Sequence, residues 1–253
     1  GNVFRHNLIH DSLGQAVTVS GNAHLLESNE LFNIGFDEGD GGAIYSGGDL
    51  TGYGITYRHN FIHHLMHRPG KVERSGIHLD DRQAGSSCEG NVFFKSAAKG
   101  IFMNGGAGHR LIGNVFVEGY RGIYNVGAGS AGNFRRQEAI SADPDHDYRG
   151  KKEDYVGNAE RRIGEQGWNE EPWLTRYPRF ALVMNDSGEF GRFWPIRCEV
   201  RNNLFCRNRI KPGTLWSRVA PEARAKSVLE GDRTVGLDVF RDLYGGRTQI
   251  STH

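Results

Sequence analysis

Acidic residues are concentrated in two similar stretches, GDGGAIY at residues 39–45 and SGIHLDD at residues 75–81. The first contains Asp40, and the second ends in Asp80 and Asp81. Glycoside hydrolysis uses two carboxyl groups, one as a protonated general acid and the other as a nucleophile or as a base for water. Like charges close together raise the pKa of one carboxyl group, which then holds the proton to be donated. The sequence therefore indicates Asp40 and Asp81 as a candidate catalytic pair, with Asp80 as a neighbour that tunes charge or binds hydroxyls.

A recurring asparagine motif predicts the elements that must position these carboxylates. The first four steps between its copies are 22, 31, 31 and 23 residues, and 22 residues suit one turn of a parallel β-solenoid. We predict an all-β fold, a right-handed parallel β-helix whose asparagines form an amide ladder. The copies are VFRHNLIH, LLESNELF, TYRHNFIH, SCEGNVFF, LIGNVFV and VRNNLFC, centred on Asn7, Asn29, Asn60, Asn91, Asn114 and Asn203.

Residues at fixed distances from each asparagine behave as stacked columns. Positions two after and three before it are apolar and are expected to point inward. Positions two before it alternate in charge, so that neighbours on rungs about 4.8 Å apart attract each other. The apolar columns are Ile9, Leu31, Ile62, Phe93, Phe116 and Phe205, and Phe4, Leu26, Tyr57, Cys88, Leu111 and Val200; the charged column is Arg5, Glu27, Arg58 and Glu89.

A second strand in each turn carries an outward column of aromatic residues. Exposed rings in register need a cover, which is either a sugar ring or a loop of the chain, and the sequence leaves both open. The inward column is Val17, Ile44, Ile77, Ile101 and Ile123. The candidate substrate-binding residues are Tyr45, His78, Phe102 and Tyr124 of the outward column, together with Asp49, Asp80 and Asn104.

Two long insertions, residues 33–42 and 67–75, precede the two strands associated with the acids. Insertions in a solenoid form loops on one side, often the binding side. Asp40 ends the first insertion, and Asp49 follows the strand on the same rung. Strict alternation points Asp80 outward, whereas a bend after Leu79 would direct Asp81 there instead.

The chain is expected to form a single domain over residues 1–253, with an N-terminal part missing because residue 1 falls inside a repeat. Residues 128–197 contain no repeat and predict a partly helical excursion before the last rung, with helical stretches around 152–163 and 172–185. Residues 221–253 are expected to close the solenoid with a short helix.

Large side chains in the excursion allow two interpretations. They could wall the site as substrate contacts, or they could pin the excursion to the solenoid, which we favour for most of them. The residues concerned are Trp168, Trp173, Arg176 and Tyr177.

Composition disfavours several classes of protein. Thirty-one Lys and Arg against 30 Asp and Glu lack the basic excess of a nucleic-acid binder. No apolar run is long enough to span a membrane. The three cysteines lack metal-site spacing, and the histidines of HHLMH at residues 63–67 include repeat positions, so we predict no metal.

Longer motifs carry a resemblance to a known group. The segments GDGGAIYSGGDLTGYG, GIHLDD, GNVFF, KGIFMNGG and PWLTRYP resemble bacterial right-handed parallel β-helix proteins that include glycoside hydrolase family 141, α-L-fucosidases and xylanases acting on plant cell-wall polysaccharide. The resemblance implies catalytic roles for Asp40 and Asp81, a polysaccharide as partner, a monomer, no cofactor and a secreted, periplasmic or cell-surface location. The chain has Gly48, Leu50 and His78 where the family has Arg, Trp and Tyr.

Two other functions remain open. A polysaccharide lyase would remove a proton beside a uronate carboxylate with a Lys or Arg base, and Ca²⁺ could bind near Asp37, Glu38 and Asp40. A non-catalytic glycan-binding module would use the acids only to bind hydroxyls. The prediction we prefer is a glycosidase that uses a pair of Asp carboxylates.

Overall fold

The protein folds as a parallel β-helix, as predicted, in a computed structural model. No helix among the described residues is long and apolar enough to cross a membrane. The structure describes residues 1–35, 40–48, 50–65, 74–96, 98–126, 163–186, 191–192, 194–209, 216–217, 219 and 221–244.

Three parallel sheets form the solenoid, and successive turns of the chain add neighbouring strands to each sheet. The first sheet consists, in spatial order, of β1 (Val3–Arg5), β4 (Leu25–Glu27), β7 (Thr56–Arg58), β10 (Ser87–Glu89), β13 (Arg110–Ile112), β16 (Glu199–Arg201) and β19 (Val228–Glu230). The second consists of β2 (Leu8–Ser12), β5 (Glu30–Ile34), β8 (Phe61–His63), β11 (Val92–Phe94), β14 (Val115–Val117), β17 (Leu204–Cys206) and β20 (Arg233–Val235). The third consists of β3 (Val17–Thr18), β6 (Gly42–Gly47), β9 (Ser75–Asp80), β12 (Lys99–Asn104), β15 (Arg121–Val126) and β18 (Trp216–Ser217).

The predicted asparagine ladder is present and fixes the register of the turns. Each side-chain amide nitrogen donates to the amide oxygen of the next asparagine at 2.9 to 3.0 Å. The same oxygen also accepts the backbone N–H of the preceding asparagine. The ladder continues beyond Asn203 to Asp232, whose Oδ1 accepts the side-chain amide of Asn203 at 3.0 Å.

The inward columns form the core, as the repeat predicted, except for Phe4 of the first turn, which is exposed. Phe93, Phe116 and Phe205 stack with their centroids 4.9 and 5.1 Å apart. The stacked rings leave no room for a side chain near the start of strands β12 and β15, where Gly100 and Gly122 stand. A Cβ on Gly100 would lie 2.4 Å from the Phe116 ring, and one on Gly122 would lie 2.3 Å from the Phe205 ring.

Charged residues on the outer face of the first sheet pair between turns. Arg58 contacts Glu27 at 2.7 Å, and Arg110 contacts both Glu89 at 3.2 Å and Glu199 at 3.0 Å. The Glu27–Arg58 contact joins two members of the predicted charged column, whereas Arg110 and Glu199 stand outside that column. Because these side chains are partly exposed, each pair contributes little to stability by itself.

The excursion is followed by more of the solenoid than the sequence predicted. The helical stretch expected around 172–185 contains α1 (Trp173–Arg176) and α2 (Pro178–Met184), whereas 152–162 lie outside the described residues. Strands β16, β17 and β18 then complete one turn, and β19 and β20 begin another. The excursion therefore precedes one complete turn and a further partial one, and the sequence missed the partial turn because Asp232 replaces the asparagine by which repeats were recognised.

The C-terminal segment does more than close the end. Its predicted short helix is α3 (Pro221–Ala225), and β19 and β20 follow it. A second helix, α4 (Leu237–Tyr244), then packs Phe240 against Val117 and Cys206. It thereby covers apolar residues on the outer face of the second sheet.

Replacing Asp232 by Asn should stabilise the protein. The other ladder residues use their second amide hydrogen to reach a backbone carbonyl of the preceding turn, a bond that a carboxylate cannot make. We expect a gain of about 1 kcal/mol at neutral pH, measured by urea unfolding.

The gain should depend on pH. Burial raises the folded pKa of Asp232, so the wild type loses stability as pH rises from about 4 through that folded pKa. The advantage of the variant should therefore be smaller at pH about 3, where Asp232 is protonated. A variant less stable than the wild type at neutral pH would contradict this account of the ladder end.

Gly100→Ala tests the close approach of the glycines to the phenylalanine stack. The added methyl group would clash with Phe116, so we expect a loss of about 1 to 3 kcal/mol in the free energy of unfolding. Gly236→Ala is the control, because a Cβ there has no atom within 4 Å. Equal stability of the two variants would show that the phenylalanine stack accommodates the added methyl group, which would contradict this interpretation.

Candidate functional site

Neighbouring strands β6, β9 and β12 of the third sheet bring the candidate residues together. Tyr45 pairs with His78, and His78 pairs with Phe102. Asp80 lies two residues beyond His78 on the same strand. Side chains of a strand alternate between its faces, so these groups point away from the buried Ile77. The outer face of the third sheet is therefore the candidate site.

Asp80 is extensively hydrogen-bonded on this face. The Tyr45 hydroxyl donates to its Oδ2 at 2.9 Å, and the Asn104 amide donates to its Oδ1 at 2.7 Å. Oδ1 also accepts the backbone N–H of Asp81 at 2.9 Å and lies 3.3 Å from Nε2 of His78. The Asp80 side chain is only 13% exposed.

These contacts keep Asp80 ionised. Burial by itself would raise the pKa of Asp80. The close approach of His78 lowers this pKa, and so do the hydrogen bonds from Asn104 and Tyr45, and together these contacts outweigh burial. The pKa of Asp80 therefore lies well below its ordinary value. A carboxyl group with this pKa cannot hold a proton to donate near neutral pH, but it can stabilise positive charge.

Gly47 makes the bond between Tyr45 and Asp80 possible. It pairs with Asp80 across the two strands, and a Cβ at this position would lie 2.8 Å from the Tyr45 hydroxyl and 2.8 Å from the Asp80 Cβ. The missing side chain lets the Tyr45 ring extend toward the next rung. The sequence analysis missed Gly47, and its position two residues after Tyr45 was the available signal.

Asp40 and Asp81, the predicted catalytic pair, are both exposed. Strand β9 continues through Asp80, so no bend after Leu79 reverses the alternation. Asp81 instead begins a turn and has a left-handed φ of 40°. The turn, and not the alternation of the strand, therefore sets the position of Asp81 beside the outer face of the third sheet.

All three carboxylates act on the Tyr45 hydroxyl. Burial is the main reason that the pKa of Tyr45 lies well above its ordinary value, and the negative charges of Asp80, Asp81 and Asp40 raise it further. Tyr45 therefore stays a hydrogen-bond donor at neutral pH. Asp80 is hydrogen-bonded to this tyrosine, and the charges of Asp40 and Asp81 are near enough to act on it, whereas Asp49 lies outside the described residues.

The aromatic column packs mainly against itself. Ring centroids are 5.3 Å apart for Tyr45 and His78, 4.6 Å for His78 and Phe102, and 5.6 Å for Phe102 and Tyr124. His78 is 1% exposed and Phe102 is 8% exposed. The faces of these two rings are covered, so only Tyr45 and Tyr124 at the ends retain exposed surface for a ligand.

Cations lie on the same face, on one side of the column. Lys99 Nζ is 3.8 Å from the Phe102 centroid, and Arg121 Cζ is 4.7 Å from the Tyr124 centroid. Lys99 is only 5% exposed. Its ammonium group therefore packs on the ring and is poorly placed to act on a sugar.

The excursion packs beside this site. Trp168, Trp173 and Tyr177 contact a buried cluster that includes Tyr53 and Ala84, which supports the interpretation that they pin the excursion to the solenoid. Ala84 lies three residues after Asp81. The excursion thus packs close to the turn that begins at Asp81, one of the predicted catalytic residues. Arg176, the fourth of the large side chains considered above, is exposed.

Within the described part of the chain, no group of three His, Cys, Asp or Glu side chains could hold a metal ion. Asp37 and Glu38, which the sequence suggested as Ca²⁺ ligands together with Asp40, lie outside the described residues. The described residues of the candidate site can act on a ligand through hydrogen bonds and through the negative charge of their carboxylates.

Comparison of the chain with protein-family models, curated proteins and solved structures finds no match. Function must therefore be inferred from the side chains of the site and from the fold that positions them.

Asp80→Asn tests the ionised centre through the pH dependence of stability. Because the folded pKa of Asp80 is depressed, its contribution is present above the unfolded value of about 3.9 and is lost as pH falls. We expect the variant to be less stable by about 2 kcal/mol at neutral pH and the difference to shrink at pH 3, both measured by urea unfolding. A difference that is the same at both pH values would argue against an ionised Asp80.

Proposed function

We propose that the protein is a glycoside hydrolase that acts on a plant cell-wall type polysaccharide. The observation that carries this proposal is the carboxylate Asp80, held ionised by its contacts and hydrogen-bonded to Tyr45, a tyrosine on which the exposed carboxyl groups of Asp40 and Asp81 also act. Hydrolysis of a glycosidic bond requires both a carboxyl group that exchanges a proton and negative charge near the developing oxocarbenium ion.

In the proposed mechanism Asp40 and Asp81 are the reacting pair. One donates a proton to the leaving oxygen, and the other attacks the sugar or activates water. A permanently negative carboxylate favours the protonated form of a carboxyl group beside it, and Asp80 is the neighbour of Asp81 in the chain. Asp80 also accepts the Asp81 backbone N–H, which fixes the turn that presents Asp81.

Hydrolysis fits this site better than elimination by a lyase. A lyase would need a Lys or Arg base that reaches the sugar, whereas Lys99 and Arg82 are 5% and 7% exposed and Lys71 lies outside the described residues. Among the residues that the structure describes, the exposed groups that act on Tyr45 are the carboxyl groups of Asp40 and Asp81. A glycan-binding module would share these residues but would bind its glycan without product formation.

We also propose that the protein works outside the cytoplasm as a monomer, with the polysaccharide as its partner. This part of the proposal rests on the resemblance of its motifs to the extracellular β-helix hydrolases described above.

Product chemistry distinguishes the three functions. The protein would be incubated with plant and algal polysaccharides while reducing ends and ultraviolet absorbance from unsaturated ends are followed together. We expect reducing ends without absorbance. Absorbance that rises in step with reducing ends would indicate a lyase, and glycan binding without either signal would indicate a binding module.

Asp40→Asn and Asp81→Asn should each lower turnover by at least about 100-fold, because each removes a carboxyl group from acid–base chemistry. Both residues are exposed, so the thermal midpoint should change little. Asp238→Asn, an exposed substitution on α4 far along the chain, is the control and should keep full activity. Full activity in either site variant would exclude that residue from the pair.

A further inference from the structure

His78 is a buried imidazole in the middle of the candidate site. The residue is 1% exposed, and its Nε2 lies 3.3 Å from Oδ1 of Asp80. Neither ring nitrogen of His78 makes a well-aligned hydrogen bond in the described part of the chain. An imidazole buried to this extent has almost no surface for a substrate, so its role lies inside the site.

Packing alone does not explain an imidazole at this position. The ring lies between Tyr45, whose centroid is 5.3 Å away, and Phe102, whose centroid is 4.6 Å away. A buried nitrogen without a hydrogen-bond partner destabilises the folded state, and such groups in native proteins need an explanation. A phenyl ring would fill the same space without burying a polar atom. The contact with Asp80 is therefore the reason to place a histidine here.

The carboxylate decides which nitrogen of His78 carries a hydrogen. An ionised carboxylate only accepts hydrogen bonds, so the nitrogen that faces it, Nε2, is the protonated one. Burial raises the pKa of Asp80, and the approach of His78 is the largest of the influences that lower it, ahead of the bonds from Asn104 and Tyr45. His78 therefore does more for the charge of Asp80 than either neighbouring turn does.

The charged groups around His78 come from three neighbouring strands and the turns beside them. On β12, Nζ of Lys99 lies 3.8 Å from the Phe102 centroid, so its positive charge lies against that ring. The charged group that contacts the His78 ring itself in the described part of the chain is Asp80 of β9. Further titratable groups on this face are Tyr45, Asp40 and Asp81.

We propose that His78 is a positioning residue that acts through Asp80. Its Nε2–H holds Oδ1 of Asp80, the same oxygen that accepts the backbone N–H of Asp81 at 2.9 Å and so fixes the turn that presents Asp81. Asp80 thereby keeps both its orientation and its negative charge. The contact is a property of the fold, whereas its effect on turnover rests on the proposed function.

The tautomer of His78 in the wild-type protein is the first test. A long-range ¹H–¹⁵N NMR spectrum distinguishes a protonated ring nitrogen from a bare one, and the His78 signals are assigned by their absence in His78→Gln. We expect Nε2 to carry a hydrogen from pH about 5 to pH about 8. A bare Nε2 at neutral pH would overturn the proposal, because two acceptors would then face each other.

Two substitutions separate the contact from the packing of the ring. His78→Phe keeps a ring and removes the donor, whereas His78→Gln keeps an N–H donor near the place of Nε2. We expect the Asp80 carboxyl carbon, followed by NMR, to titrate above pH about 3 in His78→Phe and to return toward wild-type behaviour in His78→Gln. An Asp80 signal that does not titrate above pH about 3 in His78→Phe would overturn the proposal.

His63→Phe is the matched control for the loss of a histidine. His63 also contacts a carboxylate, since its Nε2 lies 3.1 Å from Oε1 of Glu30, but it stands on strand β8 of the second sheet. This variant should leave both the Asp80 signal and turnover unchanged. An equal change of the Asp80 signal in His63→Phe and His78→Phe would overturn the specific role of His78.

Enzyme kinetics connect the contact to turnover. His78→Phe should lower kcat about tenfold with little change in KM, because the buried ring does not touch the substrate. Since its Asp80 takes up a proton at a higher pH, the acid limb of its pH–rate profile should move to higher pH by about one unit. His78→Gln should restore most of kcat. A histidine needed only for packing would change stability and leave the acid limb in place.

The positioning role and the hydrolase can fail separately. If wild-type protein releases no product but His78→Phe makes Asp80 titrate above pH about 3, the role of His78 stands and the hydrolase does not. If wild-type protein releases product and His78→Phe leaves both the Asp80 signal and the acid limb in place, the hydrolase stands and the role of His78 does not.

Discussion

The fold depends on one interaction, the hydrogen bond between asparagine side chains on successive turns. Each buried amide satisfies a neighbouring amide and a backbone N–H, so a turn in the wrong register would leave several polar groups unpaired in the interior. Apolar columns alone would tolerate such a shift more easily. The ladder therefore holds the turns in register while their loops vary in length.

This register creates the candidate site. The third sheet carries an inward isoleucine in four successive turns, at Ile44, Ile77, Ile101 and Ile123, and the outward positions are free to carry other chemistry. Tyr45 and Asn104 come from turns on either side of Asp80, and they meet the same carboxylate only because the three strands are aligned. Gly47 leaves space for one of these contacts. The site is thus a local change of composition within an otherwise periodic scaffold.

Much of the fold could be predicted from the sequence because its signals are local and repeated. The ladder from Asn7 to Asn203 and the inward columns apart from the exposed Phe4 were predicted correctly, and the Glu27–Arg58 pair of the charged column is a contact. The last turn was missed because Asp232 performs the acceptor half of the asparagine's role. At the site, alternation correctly pointed Asp80 outward, but its ionised state depends on Tyr45 and Asn104 from the two neighbouring turns and on the close approach of His78. The burial of His78 and Phe102 likewise arises from packing that periodicity does not specify.

The central claim is that Asp80 is a permanently ionised carboxylate at the centre of the site. The most direct test is a pH titration of the aspartate side-chain carboxyl carbons by NMR, with the Asp80 signal assigned by its absence in Asp80→Asn. The account predicts that this signal does not titrate between pH about 3 and neutrality. A midpoint near the ordinary value of about 3.9 would contradict it and would remove the basis for the proposed roles of Asp40 and Asp81.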